Sequence, residues 1–165
     1  MTATSLPACR RSVEGNVTQK LFEITSGPLS VDDVVARLKN PDIGALNSFV
    51  GVVRGETEGR KTLYLEYDAY PEMAEGELRR IGEEIRQRWR SIREVAIVHR
   101  IGRLEIGETI VVITVSSPHR REVFHATHYA IDRLKEIVPI WKKEVGLNGT
   151  VWKSEQSGEC EPEQK

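Results

Sequence analysis

An α+β sandwich with a mainly antiparallel sheet and packed helices is the fold class that the sequence predicts, and three observations carry it. β-branched or alternating segments recur along the chain, bounded by glycine, proline and polar clusters. Two long segments with apolar residues at helical spacing each begin at a proline, and they interrupt strand pairs rather than alternating one for one with strands. No internal repeat and no linker divides the chain.

In chain order, "LFEIT" reads as a short strand. In "SVDDVVARLKN" Ser30 caps a helix, Asp33 stands at the capping-box position, and Val34, Val35 and Leu38 form its apolar side. The apolar run "GALNSFVGVVRG" predicts a largely buried strand ending at Arg54, and the alternating "TLYLEYDAY" is expected to pair with it across the polar loop "GETEGRK". Pro71 opens "PEMAEGELRRIGEEIRQRWR", where Met73, Leu78, Ile81, Ile85 and Trp89 define an amphipathic core helix. "EVAIVHRIG" and "ETIVVITVSS" form two further strands joined by "RLEIGE", a turn carrying Gly107. Pro118 leads into the helix "HRREVFHATHYAIDRLKEIV", which Pro139 stops. Its apolar stripe is Val123, Phe124, Ala126, Ala130, Ile131, Leu134 and Val138.

The length of 165 residues suits one domain, and such a domain buries roughly two thirds of its unfolded surface. Three segments are expected: a flexible arm over residues 1–20, a domain over 21–153 and a flexible tail over 154–165. A formal net charge of -1 argues against a broad basic field for nucleic acid or anionic membranes. Cys9 and Cys160 lie in the polar ends and outline neither a disulfide framework nor a zinc set. The opening "MTATSLPACRRSVEGNVTQK" has no apolar signal core, and no later run approaches the ~18 apolar residues of a membrane span. A cytoplasmic protein is expected, with no membrane contact.

Chemistry concentrates in a few cationic positions. Lys135 falls at the margin of the last helix's apolar stripe, either as a snorkelling side chain or as an amine with a lowered pKa. Beyond Pro139, "PIWKKE" has to turn while burying Ile140 and Trp141, and that turn can direct Lys142 back toward Lys135. His119 and Arg120 sit at a helix start that favours anions, unless they form only a solvated first turn. Arg54, closing an apolar strand, suits phosphate or carboxylate through its forked donors, or pairs with Glu56 or Glu58 at the rim. His125 and His128 lack the carboxylate or thiol partners of a metal site, so no metal is assigned. Ser116 and Ser117 lack a nucleophile elbow, and Gly51, Gly55 and Gly59 do not form a phosphate loop. The residues themselves therefore indicate a cationic site for a small anionic substrate and leave the reaction type open.

Six ordered blocks add a resemblance. "FVGVVRG", "LEYDAYPEMAE", "IVHRIGRLEIGE", "SSPHRREVF", "DRLKEIVPIWKKE" and "GTVW" together resemble the molybdopterin synthase catalytic (large) subunit family over about residues 21–153. The resemblance implies an α/β hammerhead fold and a central homodimer. A small ubiquitin-like sulfur-carrier subunit would bind each end, giving a heterotetramer. The carrier's C-terminal Gly-Gly thiocarboxylate would supply two sulfurs to cyclic pyranopterin monophosphate, forming the molybdopterin dithiolene without a cofactor. By position, Lys135 and Lys142 match the family's active-site lysines. Arg54, the His119–Arg120 pair, Val52, Val53, Lys143 and Glu144 match groups that hold the pterin phosphate and the carrier tail. The rival expectation is a non-catalytic module that binds a phosphorylated ligand or a ubiquitin-like tail with the same cations.

Overall fold

A computed structural model describes residues 20–57, 59–147 and 149–154. The expected arm and tail, with Cys9 and Cys160, lie outside the described residues except at Lys20 and Ser154. The chain runs β1 (Phe22–Thr25), α1 (Val31–Ala36), β2 (Ala45–Val52), β3 (Glu56–Thr57), β4 (Arg60–Ala69) and α2 (Pro71–Arg88). It continues with β5 (Glu94–Arg100), β6 (Gly102–Glu105), β7 (Thr109–Ser117), α3 (Arg120–Ile137), β8 (Ile140–Gly146) and β9 (Gly149–Ser154). Strand β9 thus runs one residue past the expected domain end.

Two sheets form. The first is four-stranded in the order β1-β5-β7-β2, antiparallel except where β1 pairs parallel to β5. The second carries β3-β4-β8-β9 with β6 also on β4. Helices α2 and α3 cover one face of the first sheet, because alternate residues of β5, Val95 and Ile97, meet Leu78, Ile81, Ile85, Ala126 and Leu134 there. The intervening Ala96 and Val98 point to the opposite face, against Val34 and Leu38. As the sequence predicts, Ser30 caps α1 by accepting from the Asp33 N–H at 3.2 Å, and Pro71 occupies the first turn of α2.

The pairing of β4 departs from expectation. It pairs with β3, β6 and β8, and its expected partner β2 pairs with β7 instead. The polar "GETEGRK" loop does not close a hairpin between β2 and β4, because its own residues fold back as β3 onto the start of β4. Strand β2 is also an edge strand rather than a largely buried one, with Phe49, Val50 and Val52 exposed. Met73 and Phe124, assigned to apolar faces by spacing, and Trp141, expected to be buried by the turn after Pro139, are exposed too. Trp141 meets Tyr70 edge to face, with ring centroids 5.7 Å apart.

Helix α2 approaches β1 closely at Gly82, where a Cβ would stand 2.3 Å from the ring of buried Phe22. Replacing glycine by alanine in a helix gains ~1 kcal/mol in propensity, but overpacking costs about 1–3 kcal/mol. Gly82→Ala is expected to lower stability by up to about 2 kcal/mol net, read as a shift of the urea midpoint with unchanged slope.

Candidate active site

A slip of register positions the site. Gly51 pairs with Val111 but Val52 pairs with Thr109, so Ile110 has no partner across the pair, the mark of a β-bulge. The bulge bends the end of β2. Val53 consequently turns into the core while Val52 and Arg54 remain exposed. The Val53 backbone is engaged as well, donating to the Glu108 carbonyl at 3.0 Å and accepting from the Gly107 N–H at 2.9 Å.

Two adjoining cavities flank this bend and share Val52, Arg54, Tyr67 and Ile110 as lining. One, of about 430 Å³, runs along β2 past Phe49, Val50 and Gly51 and is closed by α3 through Ile131, Leu134 and Lys135. The other, of about 310 Å³, is lined by Thr57, Thr62, Leu65, Lys142 and Glu144 of the second sheet. Lys135 stands in the last turn of α3, where the helix's exposed carbonyls favour a cation. Lys142 reaches the same region because β8 pairs antiparallel with β4, placing it opposite Tyr67 and on the same face. Glu144, two residues on, shares that face, and its carboxylate accepts from the Thr62 hydroxyl at 2.7 Å.

Arg54, Lys135 and Lys142, cations from three separate segments, thus line one composite cleft, with Val52 and Glu144 beside them. The remaining expected residues lie elsewhere. Val53 belongs to the core and lines neither cavity. Lys143 points to the other face of β8, donating to Glu66 at 3.0 Å with its ammonium 5.4 Å from the Trp152 ring. His119 and Arg120 line a third, open cavity of about 720 Å³ with Gly44, Pro118, Arg121 and Phe124, at the start of α3. Fifteen residues of helix rise separate Arg120 from Lys135, about 22 Å, so within one chain they do not share a substrate phosphate.

Tyr67, Ile110 and His99 line the cleft without having been singled out by sequence chemistry. Tyr67 and His99 carried a signal: each is a polar-tipped ring ending an otherwise apolar buried row, Leu65 then Tyr67 on β4, and Val95, Ile97 then His99 on β5. His99 is only 1% exposed, and burial pushes its imidazole down from 6.5 to about 4 despite the bond to the Arg100 carbonyl. The unfolded chain then binds more protons than the native one below pH 6.5, so this group's contribution is whole above that pH and disappears as pH falls to 4. Stability is expected to drop by up to about 3 kcal/mol over that window, and the drop should shrink in His99→Phe when urea unfolding is repeated across it.

Comparison with known proteins places the chain in a family. The pattern of the family described as "MoaE protein" matches residues 24–137. A relative from Halalkalibacterium halodurans named "Molybdopterin synthase catalytic subunit" is 51% identical over 85% of this chain and 89% of its own. The Bacillus subtilis protein of the same name is 47% identical over 82% of this chain and 85% of its own. Among solved structures, the crystal structure of molybdopterin synthase from Staphylococcus aureus superposes with a TM-score of 0.79 at 47% identity, covering 82% of this chain and 98% of that one.

Proposed function

The chain belongs to the MoaE protein family, and from that premise we propose that it is the catalytic subunit of a molybdopterin synthase. It transfers sulfur from a thiocarboxylated small carrier subunit to cyclic pyranopterin monophosphate, building the dithiolene of molybdopterin. The observation that carries the reading is that Arg54 borders both cavities, one holding Lys135 and the other Lys142. A phosphorylated substrate and an anionic thiocarboxylate repel one another in water. Cations preplaced in the cleft cancel that repulsion and stabilise the charge that develops during transfer.

The cavity along β2 is lined largely by apolar side chains and Gly51, and it suits an extended glycine tail; the Lys142 cavity is the more polar of the two. In each transfer the carrier's sulfur bonds to a pterin side-chain carbon as a carbon–oxygen bond of that carbon breaks, the displaced oxygen leaving with a proton. Water then adds to the acyl carbon and the acyl–sulfur bond breaks, leaving a carboxylate on the carrier and sulfur on the pterin. Lys135 acts at the acyl carbon as nucleophile or proton carrier, and Lys142 acts chiefly through its charge. The assembly is a central homodimer with a carrier at each end. The His119–Arg120 pair, too far along α3 to serve its own chain's cleft, then serves the second chain's phosphate site. A cytoplasmic setting belongs to the same reading, and no helix among the described residues is long and apolar enough to cross a membrane.

The test is to incubate the purified chain with a verified thiocarboxylated carrier and the cyclic pterin and to assay for the dithiolene. Product formation supports the synthase. Tight binding of both partners with no product points to the non-catalytic module.

A further inference from the structure

We propose that His99 is a positioning residue for this reaction: its ring, pinned at Nδ1, holds Tyr67 in place as the wall between the Lys135 and Lys142 cavities. The inference rests on the sulfur-transfer reading of the cleft. His99 ends the inward-facing row of β5 at the point where the apolar core gives way to the cavity lined by Arg54 and Lys135. Its Nδ1 lies 2.9 Å from the Arg100 carbonyl, and because a carbonyl only accepts, Nδ1 carries the proton and Nε2 is left as the acceptor. That bond sets the ring's orientation.

The ring meets Tyr67 edge to face, with centroids 5.3 Å apart and planes at 70°. Tyr67 is buried and lines both cavities, so its position sets how far apart their contents sit. Two reactants held in adjoining cavities react only when their atoms come within ~3–3.5 Å, and a 1 Å misplacement costs on the order of 10² in rate. Burial keeps the imidazole neutral at working pH, so His99 shapes the cleft without adding a charge to Arg54 and Lys135. The Arg100 side chain beside it is held by Glu108 at 3.0 Å.

The test is a double-mutant cycle on sulfur transfer, with His99→Asn made in the native chain and in a Tyr67→Leu background. Asparagine retains an N–H near the Nδ1 position and removes the ring. In the native background kcat is expected to fall about tenfold or more with KM for the pterin changed less than about twofold. In the Tyr67→Leu background the same change is expected to cost less than about twofold, because the group it acts through is gone. His99→Phe, which retains a ring against Tyr67 but loses the Nδ1 pin, should recover only part of kcat. Equal losses in both backgrounds, or a loss confined to KM, overturn the proposal.

An assay-independent measurement is the ¹⁵N spectrum of the His99 imidazole in the unmodified chain. A neutral Nδ1–H tautomer down to about pH 5 is expected. An Nε2–H tautomer, or titration near 6.5, overturns the pinning. If the native chain makes no dithiolene while the spectrum shows the expected tautomer, the sulfur-transfer reading fails and takes the positioning role with it, whereas the pinned ring stands.

Discussion

Lys135→Ala is expected to cut the turnover of sulfur transfer by at least ~10³-fold while leaving the fold intact. Removing one preorganised charge from a transition state costs ~10²–10³ in kcat, and losing a nucleophile or proton carrier costs more. Lys135 is exposed on α3, so its removal should change stability by no more than about 0.5 kcal/mol. Circular dichroism and the urea midpoint separate loss of chemistry from loss of structure. Lys135→Arg then distinguishes the roles. Arginine retains the charge but is neither a ready nucleophile nor a proton donor at neutral pH. Recovery to within tenfold means that charge suffices, and an arginine variant as inactive as alanine means that the amine itself reacts. Lys142→Ala should lose less, about 10–100-fold, and Lys142→Arg should restore most of it. Near-native turnover by Lys135→Ala would remove the lysine from the mechanism.

Arg54→Ala should have the second largest effect, and on both substrates together, because this side chain borders both cavities. Its forked guanidinium can hold a phosphate on one edge and present charge to the neighbouring cavity on the other. The expected result is a raised KM for the pterin together with a lowered kcat, giving a loss of ~10³ in kcat/KM. Arg54→Lys should recover only part, since a point ammonium cannot face both cavities with the same geometry. A change in KM alone would confine Arg54 to ground-state binding. Steady-state kinetics with each substrate varied in turn decides this.

How legible each feature was depended on the range of the interaction behind it. The capped start of α1, the proline starts of α2 and α3 and the stop before Pro139 all follow from residues within one turn of each other, and the structure has them where the letters place them. Strand pairing was less legible. "TLYLEYDAY" alternates correctly, yet alternation does not name the partner, and β4 joined β6 and β8 from far along the chain. The same limit applies to Lys143 and Trp141, whose side chains lie on the outer face of β8 because the pairing with β4 turns Lys142 and Glu144 inward.

The sequence by itself determined the α+β class, the helices, the family resemblance and the candidate cations Arg54, Lys135 and Lys142. These rest on local periodicity, capping and chemical type, which are written in adjacent residues. Only the tertiary structure decided that those cations line adjoining cavities. It also decided that Val53 is core, that His119 and Arg120 stand about 22 Å of helix away from Lys135, and that Tyr67 and His99 wall the cleft. The physical reason is register. A one-residue slip at the Gly51–Val52 bulge changes which side chains face the cleft, and that slip is set by how β2 meets β7, which no neighbouring residue in the chain specifies.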